Sequence, residues 1–241
     1  MSVNVKRAQF YTMAVVIIAI ALISTSIIIV GIRNSVQNVE VSEDIYFIFS
    51  NIKRETLERV ELILANLTQT DKSGTLTDYL ETTKYYLDEW ISCLRSEYES
   101  RSFKINLSYN SDQLSYIRNW NSSISISTLK AAINIQIENE DVSIKQIVNA
   151  THIFRLYISK IEQVGGKLLV EVNFTKIVSN SNESSIDYAT IYINDTLANY
   201  VGGGVYRTEL VFTGSGTITI YVAATAPSGV FVEALENYSI E

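Results

Sequence analysis

From Leu129 the chain reads LKAAINIQIE to Glu138. Leu129, Ala131, Ile133, Ile135 and Ile137 alternate with Lys130, Asn134, Gln136 and Glu138. A period of two places one set of side chains on a buried face and the other in water, so the stretch predicts a strand with one wet face. Phe103, Ile105, Leu107 and Tyr109 repeat the pattern against Lys104, Asn106 and Ser108. Upstream of residue 100 the period is different. Over residues 41–67, Val41, Ile45, Ile48, Ile52, Val60, Ile63 and Leu67 recur in steps mostly of three and four, one face of an amphipathic helix. A turn at residues 71–74 follows. Thr75 and Asp78 then match a capping box opening a second helix, with Leu76, Leu80, Thr83, Leu87, Ile91, Leu94 and Tyr98 on one face.

Downstream, strands are expected at residues 152–162, 167–178, 188–194, 205–212, 217–224 and 230–234. Gly165-Gly166, Gly202-Gly203-Gly204, Gly214-Ser215-Gly216 and Pro227-Ser228-Gly229 punctuate them. Short strands at this density look like an immunoglobulin-like β-sandwich without the Cys…Trp…Cys pattern. VYRTELVFTGSGTITIYVAA (205–224) is the strongest hairpin expectation. Gly165-Gly166 is expected as a hairpin turn, and Gly202-Gly203-Gly204 as a flexible bend.

Residues 8–32, AQFYTMAVVIIAIALISTSIIIVGI, carry no charge. As a helix they would extend roughly 37 Å, more than the ~30 Å hydrocarbon core of a bilayer. Lys6 and Arg7 precede the segment. Arg33 follows it, with Glu40, Glu43 and Asp44 soon after. That bias favours an N-terminus in the cytoplasm. Glycosylation sequons stand at Asn66, Asn106, Asn121, Asn149, Asn173, Asn182, Asn194 and Asn237. Chance predicts roughly three or four for this composition. All eight follow the apolar segment. The expectation is a single-pass membrane protein with its bulk extracellular and glycosylated.

Lys6-Arg7-Ala8-Gln9-Phe10, running directly into the apolar stretch, resembles an archaeal class III (type IV pilin-like) signal peptide. The resemblance covers about 25 residues and implies processing between Ala8 and Gln9. The family's glutamate at the fifth mature position would fall on Met13, a departure that tells against a major filament subunit. With it, the expected fold class is α+β: an N-terminal transmembrane helix, amphipathic helices plus an antiparallel sheet of pilin-like order, then an all-β Ig-like sandwich. The expected division is a cytoplasmic N-terminus at 1–7, a transmembrane helix at 8–32, a membrane-proximal α+β region at 33–150 and the sandwich at 151–241.

Few groupings for chemistry are present. A formal charge of −7 offers nothing to a phosphate backbone, so nucleic acid is not expected as a partner. One histidine, His152, excludes metal motifs that need two, and it reads as structural. One cysteine, Cys93, excludes an intrachain disulfide, and its place beside the second helical stripe suggests burial. Asp88/Glu89 and Glu138/Glu140/Asp141 are the only carboxylate groups that suggest a glycosidase pair, and they read as solvated charge. Trp90 reads as core. Trp120, between Asn119 and Asn121, suits either a sugar-stacking surface or a sheet edge. No cofactor is expected. The expected role is structural or adhesive, without catalysis; the alternative is a minor type IV pilin or pseudopilin-like subunit. Expected partners are membrane lipid and, through the 8–32 helix, further copies of the chain or pilus and secretion components.

Overall fold

A computed structural model describes residues 45–99, 103–138, 142–212 and 215–240. Two helices come first. Helix α1 occupies residues 45–72. Its apolar stripe is buried at Ile52, Val60, Ile63, Leu64 and Leu67. Two threonines share that face because each hydroxyl donates to the preceding turn, Thr56 to the Ile52 carbonyl (2.7 Å) and Thr68 to that of Ala65 (3.0 Å). Gly74 ends the helix at φ +71, where its N–H bonds the Asp71 carbonyl, a left-handed position that glycine adopts without a Cβ clash. Helix α2 is Tyr79–Glu99. Its cap is Asp78 rather than the expected Thr75: Asp78 Oδ1 accepts from the amides of Leu80 (2.7 Å) and Glu81 (3.1 Å). The Thr75 hydroxyl donates to the Thr70 carbonyl instead. Thr83, Leu87, Trp90, Ile91, Leu94 and Tyr98 form the buried face of α2.

The strands are β1 (Lys104–Tyr109), β2 (Ser115–Asn119), β3 (Ile124–Glu138), β4 (Ser143–Val164), β5 (Lys167–Val178), β6 (Ser184–Ser185), β7 (Thr190–Ile193), β8 (Thr196–Leu197), β9 (Asn199–Gly202), β10 (Val205–Val211), β11 (Gly216–Thr225) and β12 (Phe231–Ile240). Among the described residues they form two antiparallel sheets. The larger runs β1-β3-β4-β5-β10-β9, with β2 also on β3 and β6 on β5; the smaller runs β12-β11-β7-β8. Strands β3 and β4 pair without interruption from Ile124↔Tyr157 to Glu138↔Ser143. Leu129, Ala131, Ile133, Ile135 and Ile137 therefore share a face with Val148, Ala150, His152, Phe154 and Leu156, and all ten are buried. Each large aliphatic or aromatic side chain so placed contributes about 1.5–3 kcal/mol. Strand β12 lies against β3 and β4, where the Leu235 amide donates to the Ser122 carbonyl (3.1 Å).

Three tight turns set the register. Gly165-Gly166 joins β4 to β5, as expected, with φ of +58 and +78. Asn194-Asp195 joins β7 to β8, both residues left-handed. Gly203-Gly204 joins β9 to β10 and is a close-packed corner rather than a flexible bend. A Cβ on Gly204 would stand 2.7 Å from the Phe174 carbonyl oxygen.

Several expectations require correction. The described chain is mostly antiparallel β, not a helix-and-sheet region followed by a separate sandwich, because strands from both sides of residue 150 join in the larger sheet. Residues 150 and 151 are neighbours in mid-β4. The 205–224 stretch is not a hairpin: β10 pairs with β5 and β9, while β11 pairs with β12 and β7 in the other sheet. Among the described residues no helix is long and apolar enough to cross a membrane. The expected transmembrane anchor, and the single-pass localisation with cytoplasmic N-terminus and extracellular bulk drawn from it, thus find no helix among the described residues to carry them. The 8–32 segment and the Ala8–Gln9 processing position lie outside the described residues.

The chain divides into two units. Of the described residues, one holds 45–48, which are helical, and 142. The other, residues 49–139 and 143–241, holds both sheets, α2 and most of α1.

Candidate functional site

His152 sits on the buried face of β4, between Leu129 of β3 and Val178 of β5, and is 2% exposed. From α1 the Glu61 carboxylate approaches it, Oε2 standing 3.5 Å from Nδ1. The other Glu61 oxygen is 3.6 Å from Lys176 Nζ on β5. Neither imidazole nitrogen makes a hydrogen bond of good geometry. Burial pushes the His152 pKa down, against the upward pull of Glu61, so the ring is held neutral. The expected structural role agrees with this burial.

Glu61 and Lys176 open into a cleft of about 450 Å³. Ser185, Asp187 and Ser228 supply its other polar groups, while Phe154, Ile186, Ala226 and Pro227 supply apolar walls. Three elements hold it. The Ala226–Val230 turn is closed by the Gly229 amide on the Ala226 carbonyl (2.9 Å) and by Gln69 Nε2 of α1 on the Gly229 carbonyl (2.8 Å). At the next residue the Phe231 amide donates to the Thr68 hydroxyl (3.0 Å). Short strand β6 pairs with Thr175 and Lys176 of β5. Ser228 Oγ is buried within this frame and has no hydrogen-bond partner.

A row of tyrosines begins at the same segment. Tyr206, 1% exposed, accepts from the Ala189 amide (2.7 Å) and donates to the Ile186 carbonyl (3.0 Å). Tyr200 donates to Asp187 Oδ1, and that bond holds its phenol protonated above the ordinary range. Between the two clamps Tyr188 is held at φ +59 and is 84% exposed. A bulky residue in the left-handed region costs of order 1–3 kcal/mol and persists only where its surroundings enforce it. Ring centroids step from Tyr206 to Tyr200 at 5.2 Å and from Tyr200 to Tyr188 at 5.8 Å, from the core to water.

A larger groove of about 580 Å³ lies between α2 and β1. Its charged groups are already engaged. Tyr109 donates to Asp88 (2.9 Å), its pKa pushed up to about 12 by burial and that carboxylate, and Arg95 donates to the Leu107 carbonyl (3.0 Å). Arg95 thereby satisfies a carbonyl on the edge strand β1.

The other candidates disperse. Asn66, Asn106, Asn121, Asn149, Asn182 and Asn237 are exposed, while Asn173 and Asn194 are half-buried. Asp88 serves Tyr109, and Glu138 accepts from Gln136. Glu140 and Asp141 lie outside the described residues. Trp120 is core, 7% exposed, its Nε1–H donating to Ser127 Oγ (2.8 Å) and its ring edge-on to Phe231 at 5.3 Å. Cys93 is exposed, contrary to its expected burial, because two residues from Ile91 is the far side of a helix. Among the described residues no group of three or more His, Cys, Asp or Glu is placed to hold a metal ion. Sequence reasoning missed Glu61, Lys176, Ser228 and the tyrosine row. The one local signal was Asp187-Tyr188 just ahead of a strand.

No protein-family model, curated protein or solved structure matches the chain. Function is therefore read from the chemistry of the site and surface.

Proposed function

We propose that the chain is a glycosylated module with a structural or adhesive role and no catalytic activity. The observation that carries this reading is the display of sequon asparagines. Six of the eight face solvent, spread over α1, β1, the β2–β3 connection, β4, the segment before β6, and β12. A dispersed set protects a large sheet surface and its edges from unwanted pairing. The polar groups it carries serve packing and one another: His152 is buried and neutral, Asp88 accepts from Tyr109, and Glu138 accepts from Gln136. A negative overall charge turns such a module away from nucleic acid. Glycopeptide mass spectrometry on protein from its native source tests the reading, with hexose-bearing peptides expected at the exposed sequons. Unmodified asparagine at all eight would remove its main support.

A further inference from the structure

We propose that the cleft framed by Glu61, Lys176, Ser185, Asp187 and Ser228, together with the Tyr188–Tyr200 pair, binds a neutral, hydroxyl-rich saccharide. The inference rests on the adhesive reading and names the class of ligand it would use.

Size permits a sugar. At about 450 Å³ the cleft lies within the roughly 300–1,000 Å³ typical of small-molecule sites. Some of its polar groups are also incompletely paired. Ser228 Oγ is buried with none. Glu61 stands 3.6 Å from Lys176 and 3.5 Å from His152, too far for good direct hydrogen bonds and suited to a bridging hydroxyl.

Charge selects the class. Two carboxylates face one ammonium that already lies beside Glu61, so an anion such as phosphate meets net repulsion. An amine gains little, because Asp187 is engaged by Tyr200 and Glu61 faces Lys176. A sugar hydroxyl donates and accepts at once. It satisfies a carboxylate oxygen, a serine or an ammonium without importing charge to be desolvated.

The tyrosines supply the other half of a pyranose. A sugar ring carries C–H groups on one face and hydroxyls around its rim, so it needs an apolar plate beside polar acceptors. Asp187 joins the two, lining the cleft and holding the Tyr200 phenol while Tyr188 follows it in the chain. The Tyr206 clamp holds the backbone on both sides of Tyr188 before any ligand arrives, which lowers the ordering cost of binding.

Saturation-transfer NMR on the full chain tests this with mannose, galactose and N-acetylglucosamine trisaccharides as separate probes. A lysine-rich peptide and inorganic phosphate serve as comparisons. At least one trisaccharide is expected to bind. Tyr188→Asn, a residue that tolerates the left-handed backbone, and Asp187→Asn are each expected to weaken binding tenfold or more, with thermal melting within a few degrees of the parent. No saccharide binding, or binding indifferent to both substitutions, overturns the proposal. Binding of only the peptide or only phosphate overturns the ligand class and leaves the non-catalytic reading standing. Conversion of a trisaccharide to new products would keep the ligand class and sink the non-catalytic reading instead.

Discussion

The Tyr206 hydroxyl accepts a hydrogen bond from the Ala189 amide at 2.7 Å, and that contact positions, from a residue in the core, the most exposed aromatic among the described residues. The same hydroxyl donates to the Ile186 carbonyl, so one oxygen closes a four-residue loop whose third member is Tyr188. Tyr206→Phe keeps the ring and its stacking on Tyr200 but leaves two backbone groups unpaired. The expected loss is about 1–3 kcal/mol in urea unfolding. Hydrogen exchange at the Ala189 amide should accelerate well beyond the global change. An Ala189 amide protected as before would show that the loop is held by something else.

The β9–β10 corner separates two costs that glycines usually mix. Gly204 and Gly165 both have positive φ, +74 and +58, so alanine is strained at either by about 1–2 kcal/mol. Around Gly165 a Cβ meets open space, whereas at Gly204 it meets the Phe174 carbonyl at 2.7 Å and Ser185 Cβ at 3.0 Å. Gly204→Ala should therefore cost about 1–3 kcal/mol more than Gly165→Ala, the overpacking part alone. Denaturant midpoints of the two variants compare them directly, and equal losses would mean the corner yields.

Much of this architecture was legible, and the failures share a cause. Stripes at 3.6 and 2 residues marked the buried faces of α1, α2 and β3 because periodicity reports which face is wet. It does not report which strand lies alongside. Residues 205–211 and 216–225 have ideal hairpin patterns, yet β10 finds β5 and β11 finds β12, choices made by long-range packing. The start of β4 was hidden by Lys145 and Asn149 on its outward face and by the exposed, polar Gln146 on the other. Trp120 was obscured for the same reason: Asn119 and Asn121 point out while the indole points in. The cleft draws Glu61, Lys176, Asp187 and Ser228 from separate elements, so no local motif announces it.

His152 makes stability depend on pH in a defined direction. Its folded pKa lies below the ordinary value because burial disfavours the imidazolium. Glu61 from α1 and Lys176 from β5 face it, with the Leu57 backbone contributing. As pH falls below about 6.5 the unfolded chain takes up a proton that the folded chain still refuses. Stability is therefore fully present above that pH and is lost as pH falls toward the folded pKa. The slope from this residue is at most about 1.4 kcal/mol per pH unit. Urea unfolding between pH 5 and pH 8 should show that slope, and His152→Gln should flatten it. An unchanged slope in the variant would assign the acid sensitivity to other groups.

Among the eight sequons, Asn194 is expected to stay unmodified in the folded protein. It occupies the first position of the β7–β8 turn at φ +44, which asparagine tolerates better than most residues. Its side chain then acts as a strand end, Oδ1 accepting from the Tyr221 amide (2.7 Å) and Nδ2 donating to the Thr219 carbonyl (3.2 Å). The backbone amide of Asn194 bonds the Tyr221 carbonyl as well (2.8 Å). A glycan on Nδ2 would put a bulky ring where the amide docks on β11, at the cost of contacts that close the edge of the smaller sheet. Asn237, on the far strand of that sheet, lends only its oxygen, to Thr219 Oγ1, and leaves its nitrogen in water. Site-resolved occupancy should therefore be high at Asn237 and near zero at Asn194. Asn194→Ala should destabilise the chain by about 1–3 kcal/mol through the unpaired Tyr221 amide and the left-handed backbone. Full occupancy at Asn194 with unchanged melting would mean that β7 and β8 hold the edge without it.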